Sequence, residues 1–336
     1  MRQTTRRTFL AAPLAATAAT APPARRSAAQ PAPRDSSAFP NRVIRVIVPF
    51  APGGGTDVMM RLVAQSLSAR FSQQVVVDNV AGAGGTIGAM QVVNAAPDGH
   101  TLLCGTPGSV SINPVLRSTV RYRPLRDLAP VAQLTDSPIV LVANKDFPAE
   151  SVPDLIRMAR AAPGSINFGS AGPGSIEHLS GELFNSLARV EMVHVPYRGT
   201  AQSLTDLRAG RIHLLFENLP PVLDLIRSGG AKALAVGTAE RSDFLPHLPT
   251  IAEAGVPGYV SSSYMGLLAP ARTPPEIIWR LSEACAAALR EPELAGKLRE
   301  LGAAVVGTGP EAFRAFIAER TATLERLVEA SDLRLD

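Results

Sequence analysis

A chain of 336 residues is long enough to bury the cores of two domains. Its formal charge of +4 suggests a basic protein, but Arg2, Arg6, Arg7, Arg25 and Arg26 supply five of the 33 basic side chains and no acid precedes Asp35, so from residue 30 onward 28 basic side chains face 29 acidic ones, a net of −1. That balance removes the main support for a nucleic-acid partner, and no second hydrophobic span follows the one near the start.

The first span belongs to a targeting pattern. Thr5-Arg6-Arg7-Thr8-Phe9-Leu10 carries twin arginines, an uncharged Ala-rich run follows, and small residues stand at Ser27-Ala28-Ala29. The run is too short and too weakly apolar for a stable membrane helix, so residues 1–29 are expected to be a twin-arginine export signal, placing the chain in the periplasm. Cleavage is expected near Ala29, with Ala19-Thr20-Ala21 as another A-x-A-type site. Residues 30–41, rich in Ala, Pro, Arg and Ser, read as a disordered linker. Cys104 and Cys285, the two cysteines, fall in an apolar strand and an Ala-rich helix and are expected as buried thiols; two cysteines define no disulfide framework, although an oxidising compartment permits a bond.

The first folded stretch, Arg45-Val46-Ile47-Val48-Pro49-Phe50-Ala51-Pro52-Gly53-Gly54-Gly55-Thr56-Asp57, reads as a buried strand, a glycine turn and a helix start. Met59, Leu62, Val63 and Leu67 recur at helical spacing, and Thr56 or Asp57 stands where an N-cap belongs. Glycines tolerate positive φ and leave no side chain above the amides, which gives a bare helix N-terminus suited to an anion. On this stretch alone, a turn that merely connects strand to helix explains the residues equally well.

Residues 74–77 read as a strand leading to a second glycine-rich approach at 79–88 and a helix to about Ala95; residues 101–105 form a third strand. This alternation predicts a parallel or mostly parallel sheet with ligands at the carboxyl ends of its strands. Residues 136–144 read as a crossover into a second lobe. Ser151-Val152-Pro153-Asp154 then opens a helix, and 166–175 repeats the device of a strand opening into Gly and Ser before the helical spacing of His178, Leu179, Glu182, Leu183 and Leu187. Strands at 193–195, 212–216 and 231–236, a helix at 201–209 and a return strand at 264–269 follow. The remainder is helical at 274–290, 291–301 and 310–330, with a strand at 303–306.

Familiar catalytic patterns fail at specific residues. The dinucleotide fingerprint meets Val58, Ile87 and Glu177 where its last glycine is required. Ser170 approaches a hydrolase nucleophile elbow, but Phe168 replaces the first glycine. His178 and Glu182 share a helix face that could suit a metal, an ordinary pair being the simpler reading; Arg198 and Arg211 could approach a carboxylate or be solvated. No catalytic residue, metal or cofactor is expected.

The segments 48–57, 79–88, 168–179, 195–199 and 249–258 together resemble the substrate-binding receptors of the tripartite tricarboxylate transporters, the Bug-type solute receptors. The resemblance implies an α/β, two-lobed type II periplasmic-binding-protein (Venus-flytrap) fold, each lobe a mostly parallel sheet flanked by helices. Lobe 1 would comprise residues 42–139 and 264–336, and lobe 2 residues 140–263. It implies a monomeric receptor, not an enzyme, that captures a small carboxylate (di- or tricarboxylate, aromatic acid or amino acid) for the membrane components of such a transporter. The carboxylate would be held by two opposed loops, Gly53, Gly54, Gly55, Thr56 and Asp57 in one lobe and Ser170, Ala171, Gly174 and Ser175 in the other, with Gly85, Tyr197 and Asn218 nearby. Asp57 in the family pattern fixes the first loop and can meet a ligand amine or a water. Phe50 and Tyr264 would choose what lies behind the carboxylate. Tyr264 stands where many relatives carry Trp, and Glu217 where Asp is usual before Asn218. The alternatives are a periplasmic serine hydrolase using Ser170 and the effector domain of a transcription regulator, which shares the fold but needs a DNA-binding segment where the leader stands.

Overall fold

The structure, a computed structural model, describes residues 39–331; the expected leader and nearly all of the linker lie outside the described residues. Strand β1 (Ile44–Val48) leads through helix α1 (Gly55–Phe71) to β2 (Val75–Asn79), and α2 (Thr86–Val93) leads to β3 (Thr101–Gly105). β1 lies between β2 and β3 and pairs in parallel with both, as strands joined by helical crossovers do. α1 buries Met59, Met60, Val63, Ala64 and Leu67, the expected stripe, against this sheet.

A π-helical turn and two single-turn helices, α3 (Asn113–Leu116) and α4 (Pro124–Asp127), precede β4 (Leu128–Asn144). This strand starts at Leu128 rather than at 136, and it belongs to both halves of the molecule: its first part pairs with β9 and β10, its last residues with β7 and β8.

The second half runs α5 (Val152–Ala161), β5 (Asn167–Ser170), α6 (Ile176–Ala188), β6 (Val193–Pro196), α7 (Thr200–Arg208), β7 (Leu214–Asn218), α8 (Leu219–Arg227) and β8 (Ala231–Val236). Ser151 caps α5 as the sequence suggests, accepting from the Asp154 amide. β5 lies parallel between β6 and β7. The chain returns through β9 (Ser262–Pro270), α9 (Pro275–Leu289), α10 (Pro292–Glu300), β10 (Ala304–Thr308) and α11 (Pro310–Ser331).

The two-lobed α/β expectation holds, with parallel pairing between named strands confined to the triplets β2-β1-β3 and β7-β5-β6. β9 runs antiparallel to both β3 and β4, because the chain crosses between the halves once in each direction. Each half has its own core. One packs β1 and β9 against α1 and α9 and contains both cysteines as buried free thiols; the other gathers Phe168, Phe184, Phe216 and Tyr259. Among the described residues no helix is long and apolar enough to cross a membrane.

Candidate functional site

β1 ends at the first glycine turn. Gly53 takes φ +85°, a conformation that favours glycine. Gly54, not Thr56 or Asp57, is the N-cap of α1; it lies in extended backbone and offers no side chain to the helix. The first intrahelical bond runs from the Val58 amide to the Gly54 carbonyl, so the amides of Gly55, Thr56 and Asp57 precede it and have no partner within the helix.

Asp57 is displaced from the expected cap because its carboxylate turns back under the turn. It accepts from the Gly53 amide and the Asn79 side chain at 3.0 Å each and pairs with Arg61 at 2.9 Å. Burial works against its charge, but Arg61, the Gly53 amide and Asn79 together hold the carboxyl below its usual range. Both oxygens are therefore spent on shaping the turn.

Opposite this turn stand residues of the second half. The cavity between them is lined by Phe50, Ala51, Gly54, Gly55, Thr56 and Asp57 on one side and Ala171, Glu177, Thr200 and Asn218 on the other. The cavity is narrow, with a volume of about 20 Å³, too small for a ligand of several carbons as it stands. Four helix starts converge here, where two were expected. α1 and α7 begin on Gly54 and Gly199 without side-chain caps, α8 begins on Asn218 likewise, and α6 is capped by the Ser175 hydroxyl, which accepts from the His178 amide. Their positive dipole ends add in one place.

Small residues let the walls meet. A Cβ on Gly54 would lie 3.8 Å from Thr200, one on Gly199 3.2 Å from Ala51, and one on Gly55 2.9 Å from Pro221. Beside the cavity the Asn113 side-chain amide donates to the carbonyls of Gly84, Gly108 and Gly174 at 3.1, 2.7 and 2.8 Å, stitching the glycine loops of the two halves together.

Glu177 on the second wall and Glu217 behind it are both buried. The Asn218 side chain donates to both, at 2.7 and 3.4 Å. Burial raises the pKa of each, and the Glu177 charge raises that of Glu217 further, so the pair is set to hold a proton.

Of the residues expected to bind, Phe50, Gly54, Gly55, Thr56, Asp57, Ala171 and Asn218 come together on the cavity wall. The others stand behind or beside it. Gly53 lends its amide to Asp57, and Gly85 is wedged against Pro49 and Ser109. Gly174 meets Asn113 so closely that no Cβ would fit, and Ser175 is occupied as a cap. The Tyr197 hydroxyl donates to Asp206 at 2.8 Å. Ser170 is fully buried; its hydroxyl lies 2.6 Å from His194 Nε2 and accepts from the Gly172 amide. Tyr264 does not line this cavity. It lies in the lobe 1 core edge-on to Phe313 and Phe316, with its hydroxyl 3.0 Å from that of Ser111, and it borders a separate apolar hollow.

The sequence reading missed Ala51, Glu177 and Thr200 as wall residues. Glu177 entered only as the residue that breaks a fingerprint, and an acid in the first turn of a helix reads as an ordinary dipole partner. Thr200 directly follows the Pro196–Gly199 turn, a signal that could have found it. The His178–Glu182 pair, 3.7 Å apart, is joined by a His178–His194 stack at 3.8 Å rather than by further metal ligands. Among the described residues no cluster of three or more His, Cys, Asp or Glu could hold a metal ion.

Comparison with known proteins matches residues 59–333 to a family described as tripartite tricarboxylate transporter family receptor. Protein BugT of Bordetella pertussis is 37% identical over 289 residues, covering 86% of this chain and 89% of BugT. Among solved structures, a Rhodopseudomonas palustris protein with adipate is 40% identical with a TM-score of 0.84, covering 88% of this chain and 99% of that one. MatC from the same organism, with bound malate, is 34% identical with a TM-score of 0.83, covering 86% and 100%.

Proposed function

The chain belongs to the tripartite tricarboxylate transporter family of receptors, and we propose that it captures a small carboxylate in the cavity between its lobes and delivers it to the membrane components of such a transporter. In this reading the protein works in the periplasm as a monomer and catalyses no reaction. Lobe 1 comprises residues 42–139 and 264–336 and lobe 2 residues 140–263, so each wall of the cavity comes from a different lobe.

One observation carries the reading: the cavity is lined by the free amides of α1 and faced by three further helix starts, while among the described residues no Lys, Arg or His lines it. An anion there is stabilised by oriented backbone dipoles. A charge-assisted amide bond contributes about 1.5–3 kcal/mol, so three or four reach the roughly 8 kcal/mol of micromolar affinity without a salt bridge. The lobes must part to admit a ligand of several carbons, and a ligand that contacts both walls favours the closed form by its differential affinity.

The Ser170–His194 contact invites the hydrolase reading. Yet the Ser170 hydroxyl is shut away from the cavity and engaged by its own loop, and burial holds the His194 pKa down to about 4, a weak base for the task. We therefore assign the contact a structural role; a serine-reactive phosphonate should leave Ser170 unlabelled. A thermal-shift screen over di- and tricarboxylates, aromatic acids and amino acids, followed by calorimetry, tests the main reading, since a ligand that binds the folded form raises the melting temperature.

A further inference from the structure

The two walls differ in hydrogen-bonding character. The α1 wall presents N–H donors. The second-lobe wall presents acceptors: among the described residues Glu177 Oε2 and Asn218 Oδ1 are both buried with no donor at full hydrogen-bond geometry, although both residues line the cavity. Behind them Glu217 Oε2 likewise has none. The rest of the cluster is spoken for. Glu177 Oε1 takes the Asn218 side-chain amide, and Glu217 Oε1 takes the Asn218 backbone amide at 3.0 Å. Glu177 is only 4% exposed, so its second oxygen has lost water, and within the protein it is met only by the proton it shares with Glu217 and by the Ser175 hydroxyl. Such an oxygen carries a desolvation penalty that a donor brought by a ligand removes.

Resting on the carboxylate reading above, we propose that the ligand carries a hydrogen-bond donor as well as its carboxylate, an ammonium in preference to a hydroxyl, and that this donor meets Glu177 and Asn218 while the carboxylate sits on α1. Glu217 acts through its neighbours as a positioning residue. The pair keeps one negative charge when it holds one proton, which ranks the ammonium above the hydroxyl. A plain di-acid would leave the acceptors unmet and bring a second negative charge toward them.

Calorimetry on the full chain with two matched sets tests this: propionate, lactate and alanine, and succinate, malate and aspartate, each differing only by hydrogen, hydroxyl or ammonium at one carbon. The donor-bearing members should bind about ten- to a hundredfold more tightly than the parent acid, the ammonium most tightly. Glu177→Gln should cut the ratio of ammonium to parent-acid affinity to a few-fold, and Asn218→Ala provides a second variant if the first is poorly folded. Parent acids that bind as tightly as their donor-bearing partners would overturn the inference and leave the carboxylate reading standing. No binding by any of the six would overturn the inference as well, while the carboxylate reading is decided separately by the thermal-shift screen, so the wild-type titrations settle the inference without a variant.

Discussion

The two walls of the cavity are built by different means. The first-lobe wall is backbone: glycines at the start of α1, held in shape by an Asp57 whose oxygens are fully used within the turn. The second-lobe wall is side chain: Thr200, Glu177 and Asn218, set at the starts of three other helices. A backbone wall gives any carboxylate the same seat, whereas a side-chain wall can be rewritten one residue at a time. Affinity for the charged group should therefore reside in the first wall and choice among acids in the second.

The sharpest way to break that division is Gly54→Leu. Gly54 has an ordinary φ of −80°, so the substitution adds no backbone strain, but its side chain would fill the 3.8 Å gap to Thr200. Affinity for every acid should fall at least about a hundredfold, roughly 2.7 kcal/mol, with an unchanged circular dichroism spectrum. Selective loss of some acids only would show that the first wall also chooses.

Asn113→Ala comes next. It removes a fully buried donor from three carbonyls, two in lobe 1 and one in lobe 2. Loss of about 2–3 kcal/mol in urea unfolding is expected, together with weaker ligand binding because the Gly174 bond joins the two halves beside the cavity. Unfolding without any change in binding would mean that the stitch holds the fold but not the closure.

A third prediction concerns pH and the imidazole stack beneath the second wall. Burial, His194 and Arg117 hold the His178 pKa down to about 3 against an ordinary value of 6.5. The unfolded chain therefore takes up a proton here before the folded one does, and stability is lost as pH falls from about 6.5 toward 3. The slope is at most about 1.4 kcal/mol per pH unit for this proton. Relative to His178→Gln, the wild type should weaken between pH 6 and 4; parallel curves would place the imidazole in solvent-like surroundings. The smallest effect is expected from Tyr264→Phe. The lost Ser111 contact costs about 1 kcal/mol of stability, and affinity should change less than about threefold, because the ring lies in the core and off the wall.

Much of this architecture was legible in the sequence. The glycine turns at 53–55 and 172–174 mark strand-to-helix junctions because only such residues allow positive φ and close approach, and the apolar stripe of α1 follows from its spacing. Helix α8 was not legible. It opens on Leu219-Pro220-Pro221, and at the first helical positions proline lacks only amides that would be unpaired anyway. Nor was the role of Glu177, since its chemistry depends on burial and on Glu217, 40 residues away in the chain. Tyr264 shows the limit of motif position: the motif places the residue on β9, but the strand's packing turns its ring onto Phe313 and Phe316.

A crystal structure with the tightest-binding acid from the screen bears most directly on the central claim. The account predicts the ligand carboxylate within about 3 Å of the Gly55, Thr56 and Asp57 amides, with lobe 2 closed over it through Thr200. A carboxylate seated away from the start of α1, or held there by a cationic side chain, would contradict it.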